Sequence, residues 1–140
     1  MRNVEEILRD SKTIAVVGIS PRPDRDSHIV AKYLQGQGYR VIPVNPTIEE
    51  VLGEKCYPSV RDVPEPIDIV DIFRRPVDVP PVVDDAIDAG AKVVWMQLRI
   101  IHEEAAAKAE SHGLDVVMDK CTKPEHEKLV AQGRLTGRPT

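Results

Sequence analysis

Residues 13–27 read TIAVVGISPRPDRDS, and the remainder of the chain can be interpreted outward from them. The first half is a continuous apolar run closed by Gly18, which is typical of a strand buried on both faces in a parallel sheet. A loop rich in Ser, Pro, Arg and Asp follows, and residues 28–34 then show helical spacing. A strand, a glycine turn and a helix together present backbone N–H groups to a phosphate. The segment therefore predicts an anion site, with Arg22 and Arg25 in its loop.

The composition of the 140-residue chain predicts a single cytoplasmic domain. A chain of this length buries about two-thirds of its unfolded surface. No apolar run approaches the ~20 residues of a membrane span, and the N-terminal segment lacks the apolar core of a signal peptide. Cys56 and Cys121 lie far apart in sequence, which favours free thiols over a disulfide scaffold. A formal charge of −4, with one Phe and three Tyr, disfavours nucleic acid as a partner.

The rest of the chain alternates predicted strands and helices. Apolar runs predict strands at residues 14–17, 40–44, 67–73, 92–96 and 114–118. Helical spacing predicts helices at residues 3–9, 28–34, 78–89, 102–112 and 124–131. This alternation predicts an α/β fold, a Rossmann-like doubly wound domain of three layers with a five-stranded parallel sheet. The expected strand order is 3-2-1-4-5, with residues 1–132 forming the domain and residues 133–140 a flexible tail.

In such a sheet the ligand binds at the carboxyl ends of the strands, where the strand order reverses. The residues predicted to lie there are Gly18, Ile19, Ser20, Pro21, Arg25, Ser27, Asn45, Pro46, Phe73, Arg74, Arg75, Met96 and Gln97. Gly18 is expected to let backbone amides approach a diphosphate. On this interpretation, Gly18→Val abolishes ligand binding but leaves the fold largely intact.

The turn after the first strand lacks the features of an NAD site. No G-x-G-x-x-G motif is present, because Gly18 is followed by Ser20 and Pro21. Asn45 stands at the end of the second strand, where an NAD site carries an acid for the ribose hydroxyls. An NAD-type dinucleotide is kept as the alternative ligand.

Three linked motifs are similar to those of the CoA-binding domain family. They are V-V-G-I-S-P-x-x-x-R-x-S at residues 16–27, V-N-P at 44–46 and D-I-F-R-R-P at 71–76. That family includes small stand-alone CoA-binding proteins and the N-terminal domain of the succinyl-CoA synthetase α subunit. The resemblance extends from about residue 7 to residue 129 and is closest to the stand-alone proteins.

The resemblance implies that coenzyme A is the ligand. It implies a pyrophosphate on residues 18–21, an adenosine end near residues 45–46 and 73–74, and a pantetheine arm passing Met96 and Gln97. The synthetase also has a lysine beyond its second strand for the CoA phosphate, whereas residues 45–49 here read NPTIE. That contact is therefore either missing or supplied by an arginine.

The residue types fit such a ligand, although each also has a purely structural interpretation. Arginines bind phosphates through bidentate contacts, and CoA offers a pyrophosphate and a 3′-phosphate. Alternatively, Arg74 or Arg75 pairs with Asp71, and Phe73 belongs to the core. The four histidines include no close ligand pair, so no metal site is predicted. Cys121, flanked by Lys120 and Lys123, is expected at the ligand edge with a lowered thiol pKa, or else as a packing residue.

Two functional classes follow. The first is a non-catalytic module that holds CoA or acyl-CoA, with a protein partner or a homo-oligomer possible and no membrane. The second is an accessory enzyme of CoA thiol metabolism. A synthetase-type ligase needs a further domain and a nucleotide-binding subunit that 140 residues cannot contain. No Ser-His-Asp set or acid pair is recognisable, and the binding module is therefore the preferred prediction.

Overall fold

Five parallel strands form the central sheet of the protein, for which a computed structural model describes residues 1–136. Its strands are numbered in chain order together with those of a small separate hairpin: β1 (Thr13–Val17), β2 (Arg40–Val44), β3 (Glu50–Val51), β4 (Glu54–Lys55), β5 (Ile69–Ile72), β6 (Val93–Met96) and β7 (Asp115–Val117). The helices are α1 (Val4–Asp10), α2 (Asp26–Gly36), α3 (Val79–Asp88), α4 (Glu103–Ser111) and α5 (Thr122–Ala131). Strands β3 and β4 form a separate antiparallel hairpin. None of the helices in this part of the chain has the length and apolar character needed to cross a bilayer.

The sheet has a hydrophobic core on each face. Ala15 and Val17 of β1 face a cluster that includes buried residues of α3 and α4. Ile14 and Val16 face the other cluster, which includes residues of α1, α2 and α5. Successive side chains of a strand point to opposite faces, so the uninterrupted apolar runs are explained by helices on both sides. The predicted three-layer, Rossmann-like α/β class with a five-stranded parallel sheet is confirmed.

The strand order differs from the expected one. The sheet runs β2-β1-β5-β6-β7, so the third strand of the sheet lies beside β1 and β2 is at the edge. The outer edge of β2 is occupied by Tyr57, whose N–H donates to Pro43 O at 3.0 Å and whose carbonyl accepts from Asn45 N–H at 2.9 Å. Pro43 has no N–H of its own, which confines it to an edge strand. The order 3-2-1-4-5 is therefore wrong in this respect, and the reversal falls between β1 and β5.

The two ends of the described chain pack against the domain. Val116 N–H of β7 donates to Met1 Sδ at 3.3 Å, and Arg2 pairs with Asp115 at 2.8 Å. Within the predicted tail, Arg134 pairs with Glu5 at 2.6 Å and Leu135 packs on the core. Residues 137–140 lie outside the described part, so flexibility there stays a prediction.

Candidate functional site

The turn that follows β1 is closely packed against the end of β5. Gly18 has a φ of +85°, a conformation that suits glycine. A Cβ on Gly18 would overlap the carbonyl oxygen of Phe73 and lie 3.0 Å from its carbonyl carbon. The backbone directly after β5 thus occupies the space beside this glycine. The expectation that Gly18→Val leaves the fold intact is wrong, because the valine side chain has no room.

Side chains from two other elements hold the loop after the turn. Asn45, at the end of β2, donates from Nδ2 to Ile19 O at 2.9 Å. Ser27, in the first turn of α2, accepts the Ser20 N–H on its Oγ at 2.9 Å. His28 Nδ1 lies 3.0 Å from Ser20 O and must donate, since a carbonyl oxygen only accepts. Asn45, Ser27 and His28 therefore fix the path of the backbone here. No sequence pattern marks His28 as a residue that holds this loop.

The loop ends at the amino terminus of α2, where backbone donors remain available. Arg25 is the N-cap residue and makes no side-chain cap. Ile29 N–H bonds to Arg25 O, but the N–H groups of Asp26, Ser27 and His28 have no acceptor within residues 1–136. First-turn amides and the helix dipole together favour a bound anion.

The four arginines near this turn differ in their ion pairing. Arg22 pairs with Asp24 at 3.4 Å, and Arg75 pairs with Asp78 at 2.9 Å. Arg25 and Arg74 have no carboxylate partner in the described part of the chain. The Cδ of Arg74 lies 3.4 Å from the position that a Gly18 Cβ would take, which puts this arginine alongside the turn. The alternative that Arg74 or Arg75 pairs with Asp71 is wrong.

Asp71 instead belongs to a buried polar cluster with Gln97 and Thr122. Thr122 Oγ1 donates to Asp71 Oδ2 at 3.2 Å, and Gln97 Nε2 donates to Asp71 Oδ1. Gln97 Nε2 also lies 3.1 Å from Thr122 Oγ1. Burial raises the pKa of Asp71 to about 7, while the bonds from Gln97 and Thr122 act in the opposite direction. The other amide atom of Gln97, Oε1, is buried and has no hydrogen-bond partner within residues 1–136.

This cluster was not predicted from the sequence, although Asp71 is an indication of it. Asp71 is the one polar residue of β5, whose other residues are Ile69, Val70 and Ile72. A carboxylate in the middle of a strand buried on both faces is rare unless it has a partner. Thr122 gave no signal, because it lies 51 residues from Asp71 in sequence.

A cavity of about 370 Å³ opens beside the cluster, between α2, the ends of β5 and β6, and the start of α5. We call it the α2–α5 cavity. Its walls are mostly apolar and include Ile29, Phe73, Leu98, Ile100 and Pro124, with Gln97 and Cys121 among the polar members. Another cavity, of about 430 Å³ beside Ser11 and Lys12, contains none of the predicted site residues.

Cys121 lies at the carboxyl-terminal edge of the sheet, as its position after β7 predicted, but its chemistry differs. Burial raises the pKa of the Cys121 thiol, and the negative charges of Asp71 and Asp26 raise it further. The Lys123 backbone N–H and ammonium act in the opposite direction but do not compensate. The expected lowering of this pKa by flanking lysines is therefore wrong.

The predicted site residues separate into four groups. Those at the turn and its supports are Gly18, Ser20, Ser27, Asn45 and Arg74. Those lining the α2–α5 cavity are Phe73 and Gln97. The side chains of Ile19 and Met96 are fully buried in the core, whereas those of Pro21, Arg25, Pro46 and Arg75 are exposed. No group of three or more metal-ligating side chains occurs among residues 1–136. Ligand contact by any of these residues remains a prediction.

Comparison with known proteins gives consistent results. A family model described as a CoA binding domain matches residues 12–127. The uncharacterized protein YneT of Bacillus subtilis is 47% identical over 123 residues, 88% of this chain and 91% of YneT. A hypothetical protein from Pyrococcus horikoshii superposes with a TM-score of 0.89 at 51% identity, covering 91% of this chain and 89% of that one. The ADP-forming acetate–CoA ligase I of Archaeoglobus fulgidus is 31% identical over 79% of this chain, which spans only 18% of the ligase.

Proposed function

The chain belongs to the CoA-binding domain family, and we propose that it binds coenzyme A or an acyl-CoA at the carboxyl ends of the strands without turning it over. The region of the acetate–CoA ligase that matches this chain is only 18% of the ligase's length. We therefore assign recognition of the nucleotide to the present domain and no catalytic turnover. The role is that of a carrier, sensor or regulatory module.

The observation that carries this proposal is the charge balance around the β1 turn. Arg25 and Arg74 both lack carboxylate partners in the described chain. Arg25 is the N-cap of α2, whose first-turn amides lack acceptors, and Arg74 lies alongside the β1 turn. An unpaired guanidinium and a helix N-terminus are each stabilised by a phosphate. CoA supplies a pyrophosphate for the turn at residues 18–21 and a 3′-phosphate for one of the two arginines.

The remaining parts of the ligand follow from the same placement. The adenosine end lies near Asn45, Pro46 and Phe73, and Arg75 lies at the same edge. The pantetheine arm then enters the α2–α5 cavity beside Gln97. The apolar walls of the cavity suit the methylene and gem-dimethyl groups of that arm, and burial of such groups contributes about 25 cal/mol per Å² of apolar surface.

Isothermal titration calorimetry with CoA, dephospho-CoA and NADH tests the proposal. CoA is expected to bind at least tenfold more tightly than dephospho-CoA, about 1.4 kcal/mol, if an arginine holds the 3′-phosphate. Arg25→Ala and Arg74→Ala are each expected to weaken CoA binding, and the variant that removes the 3′-phosphate contact also abolishes the preference for CoA. Arg61→Ala is the matched control, since Arg61 is exposed and already pairs with Asp85 and Asp88. Tighter binding of NADH than of CoA would overturn the proposal in favour of a dinucleotide site.

A further inference from the structure

Cys121 and Gln97 line the same cavity, and the two side chains suggest the same kind of ligand group. Gln97 is 2% exposed, and its Oε1 is a buried acceptor with no partner among residues 1–136. An unmet acceptor of this kind is destabilising unless a donor reaches it. An arm that carries amide N–H groups supplies such a donor. Cys121 is half-buried in the wall, so it is accessible from the cavity without opening the core.

We propose that Cys121 is a site of covalent modification, where CoA becomes attached to the protein through a mixed disulfide. The proposal rests on the proposed function, because the α2–α5 cavity is where the pantetheine arm is placed. That arm ends in a thiol. An arm whose amide satisfies Gln97 is held in the cavity that contains the Cys121 sulfur.

The reaction is thiol–disulfide exchange with the disulfide form of CoA. The Cys121 thiolate attacks one sulfur of CoA disulfide, a bond forms between Cys121 Sγ and that sulfur, and the S–S bond of the reagent breaks. The second CoA leaves as a thiolate and takes up the proton that Cys121 released. Cys121 is oxidised to the mixed disulfide and one half of the CoA disulfide is reduced, so no further oxidant is required.

The surroundings of Cys121 predict an unusual pair of rates. Burial and the charges of Asp71 and Asp26 disfavour the thiolate, so attack by Cys121 is slow at neutral pH and accelerates as the pH rises. The mixed disulfide itself is uncharged at the sulfur and does not suffer this penalty. When an external thiol attacks the ligand sulfur, Cys121 must leave as the same disfavoured thiolate. The adduct is therefore slow to form and slow to be removed by that route.

Cys56 provides an internal control. It is 6% exposed, its thiol donates to Asn45 O at 3.5 Å, and burial raises its pKa. It does not line the α2–α5 cavity. Both cysteines thus have disfavoured thiolates, and what separates them is access to the cavity. Modification directed by ligand binding is expected at Cys121 alone.

The experiment is intact-mass spectrometry of the full chain after incubation with CoA disulfide without reductant. Wild type and Cys56→Ser are expected to gain one CoA, and Cys121→Ser none. Serine is a favourable N-cap residue, so Cys121→Ser retains the start of α5, which circular dichroism verifies. Glutathione disulfide at the same concentration is expected to react at least tenfold more slowly, because it lacks the nucleotide.

Each alternative outcome refutes the inference. No adduct on wild type up to pH 9, an adduct that persists in Cys121→Ser, or equal rates with both disulfides would each exclude directed modification at Cys121. Calorimetry of the wild-type protein with CoA in the presence of reductant distinguishes this failure from that of the proposed function. Binding of reduced CoA without adduct formation leaves the binding module in place and removes only the disulfide.

Discussion

Asp71→Asn is expected to remove most of the pH dependence of stability between pH 5 and pH 8. The carboxyl group is fully buried, and its pKa is raised from 3.8 to about 7. The folded protein therefore binds the proton more tightly than the unfolded chain does. Asp71 contributes stability that is fully present below the unfolded pKa and is lost as the pH rises through the folded value.

The size of this effect follows from the two pKa values. A difference of about 3 units corresponds to about 4 kcal/mol over the whole range. Integration from pH 5 to pH 8 gives a loss of about 2–3 kcal/mol, or roughly 6–10 °C in Tm for a domain of this size. An asparagine keeps the cluster connected, because its Oδ1 accepts from Gln97 Nε2 and its amide donates to Thr122 Oγ1. We therefore expect the variant to be more stable than the wild type at pH 8.

Urea denaturation at pH 5, 6, 7 and 8 measures the difference. His126 acts in the opposite direction, because burial lowers its pKa and its contribution is lost as the pH falls. This contribution is common to both proteins and cancels when they are compared. Asp62→Asn, at an exposed position, controls for the change in net charge. Parallel pH profiles for wild type and Asp71→Asn would refute the reasoning, since Asp71 would then titrate alike in the folded and unfolded states.

Three further predictions concern residues that shape the site or its support. Gly18→Ala is expected to destabilise the fold by more than the ~1 kcal/mol typical of a positive-φ glycine, because the added Cβ meets the Phe73 carbonyl. Gly53 also has a positive φ but has open space around it, so Gly53→Ala is the control. A decrease in Tm no larger than that of Gly53→Ala would contradict this prediction. Asn45→Ala removes the hydrogen bond to Ile19 O and is expected to lower the unfolding free energy by about 1 kcal/mol and to weaken CoA binding. An unchanged CoA affinity in calorimetry would argue against a role of Asn45 in holding the turn. Tyr33→Phe removes the 2.6 Å contact with His126 Nδ1 and is expected to lower the unfolding free energy by about 1 kcal/mol without affecting CoA binding. An equal loss of binding free energy in calorimetry would link this pair to the site.

The sequence predicts the fold class well because its main signal is local. Five apolar runs and the helices between them are enough to specify a parallel sheet covered on both faces. The strand order depends on a segment with weak patterning. In residues 45–57 two strands of two residues each form a hairpin, and Tyr57 then pairs with β2. Pro43 does indicate that β2 lies at an edge of the sheet, because a proline has no backbone N–H to donate to a further strand.

The site is predictable only to the level of the strand ends. Gly18 was expected to leave room for a diphosphate, but its neighbour in space is the backbone carbonyl of Phe73, directly after β5. The buried cluster brings together Asp71, Gln97 and Thr122 from three separate elements. Sequence spacing carries no information about such contacts, and the sign of the Cys121 pKa shift depends on burial and on Asp71. Long-range packing therefore decides the electrostatics that short motifs leave open.

The pairing of Tyr57 with β2 also bears on how the protein behaves in concentrated solution. An uncovered edge strand offers a row of N–H and C=O groups that another chain can extend, which is a route to aggregation. Here the backbone of Tyr57 hydrogen-bonds to Pro43 O and to the Asn45 N–H. At the opposite border of the sheet, Met1 Sδ accepts the Val116 N–H. Strand-by-strand growth into larger assemblies is therefore discouraged at both borders. Self-association of the domain, if it occurs, is expected to use side chains of helices and loops.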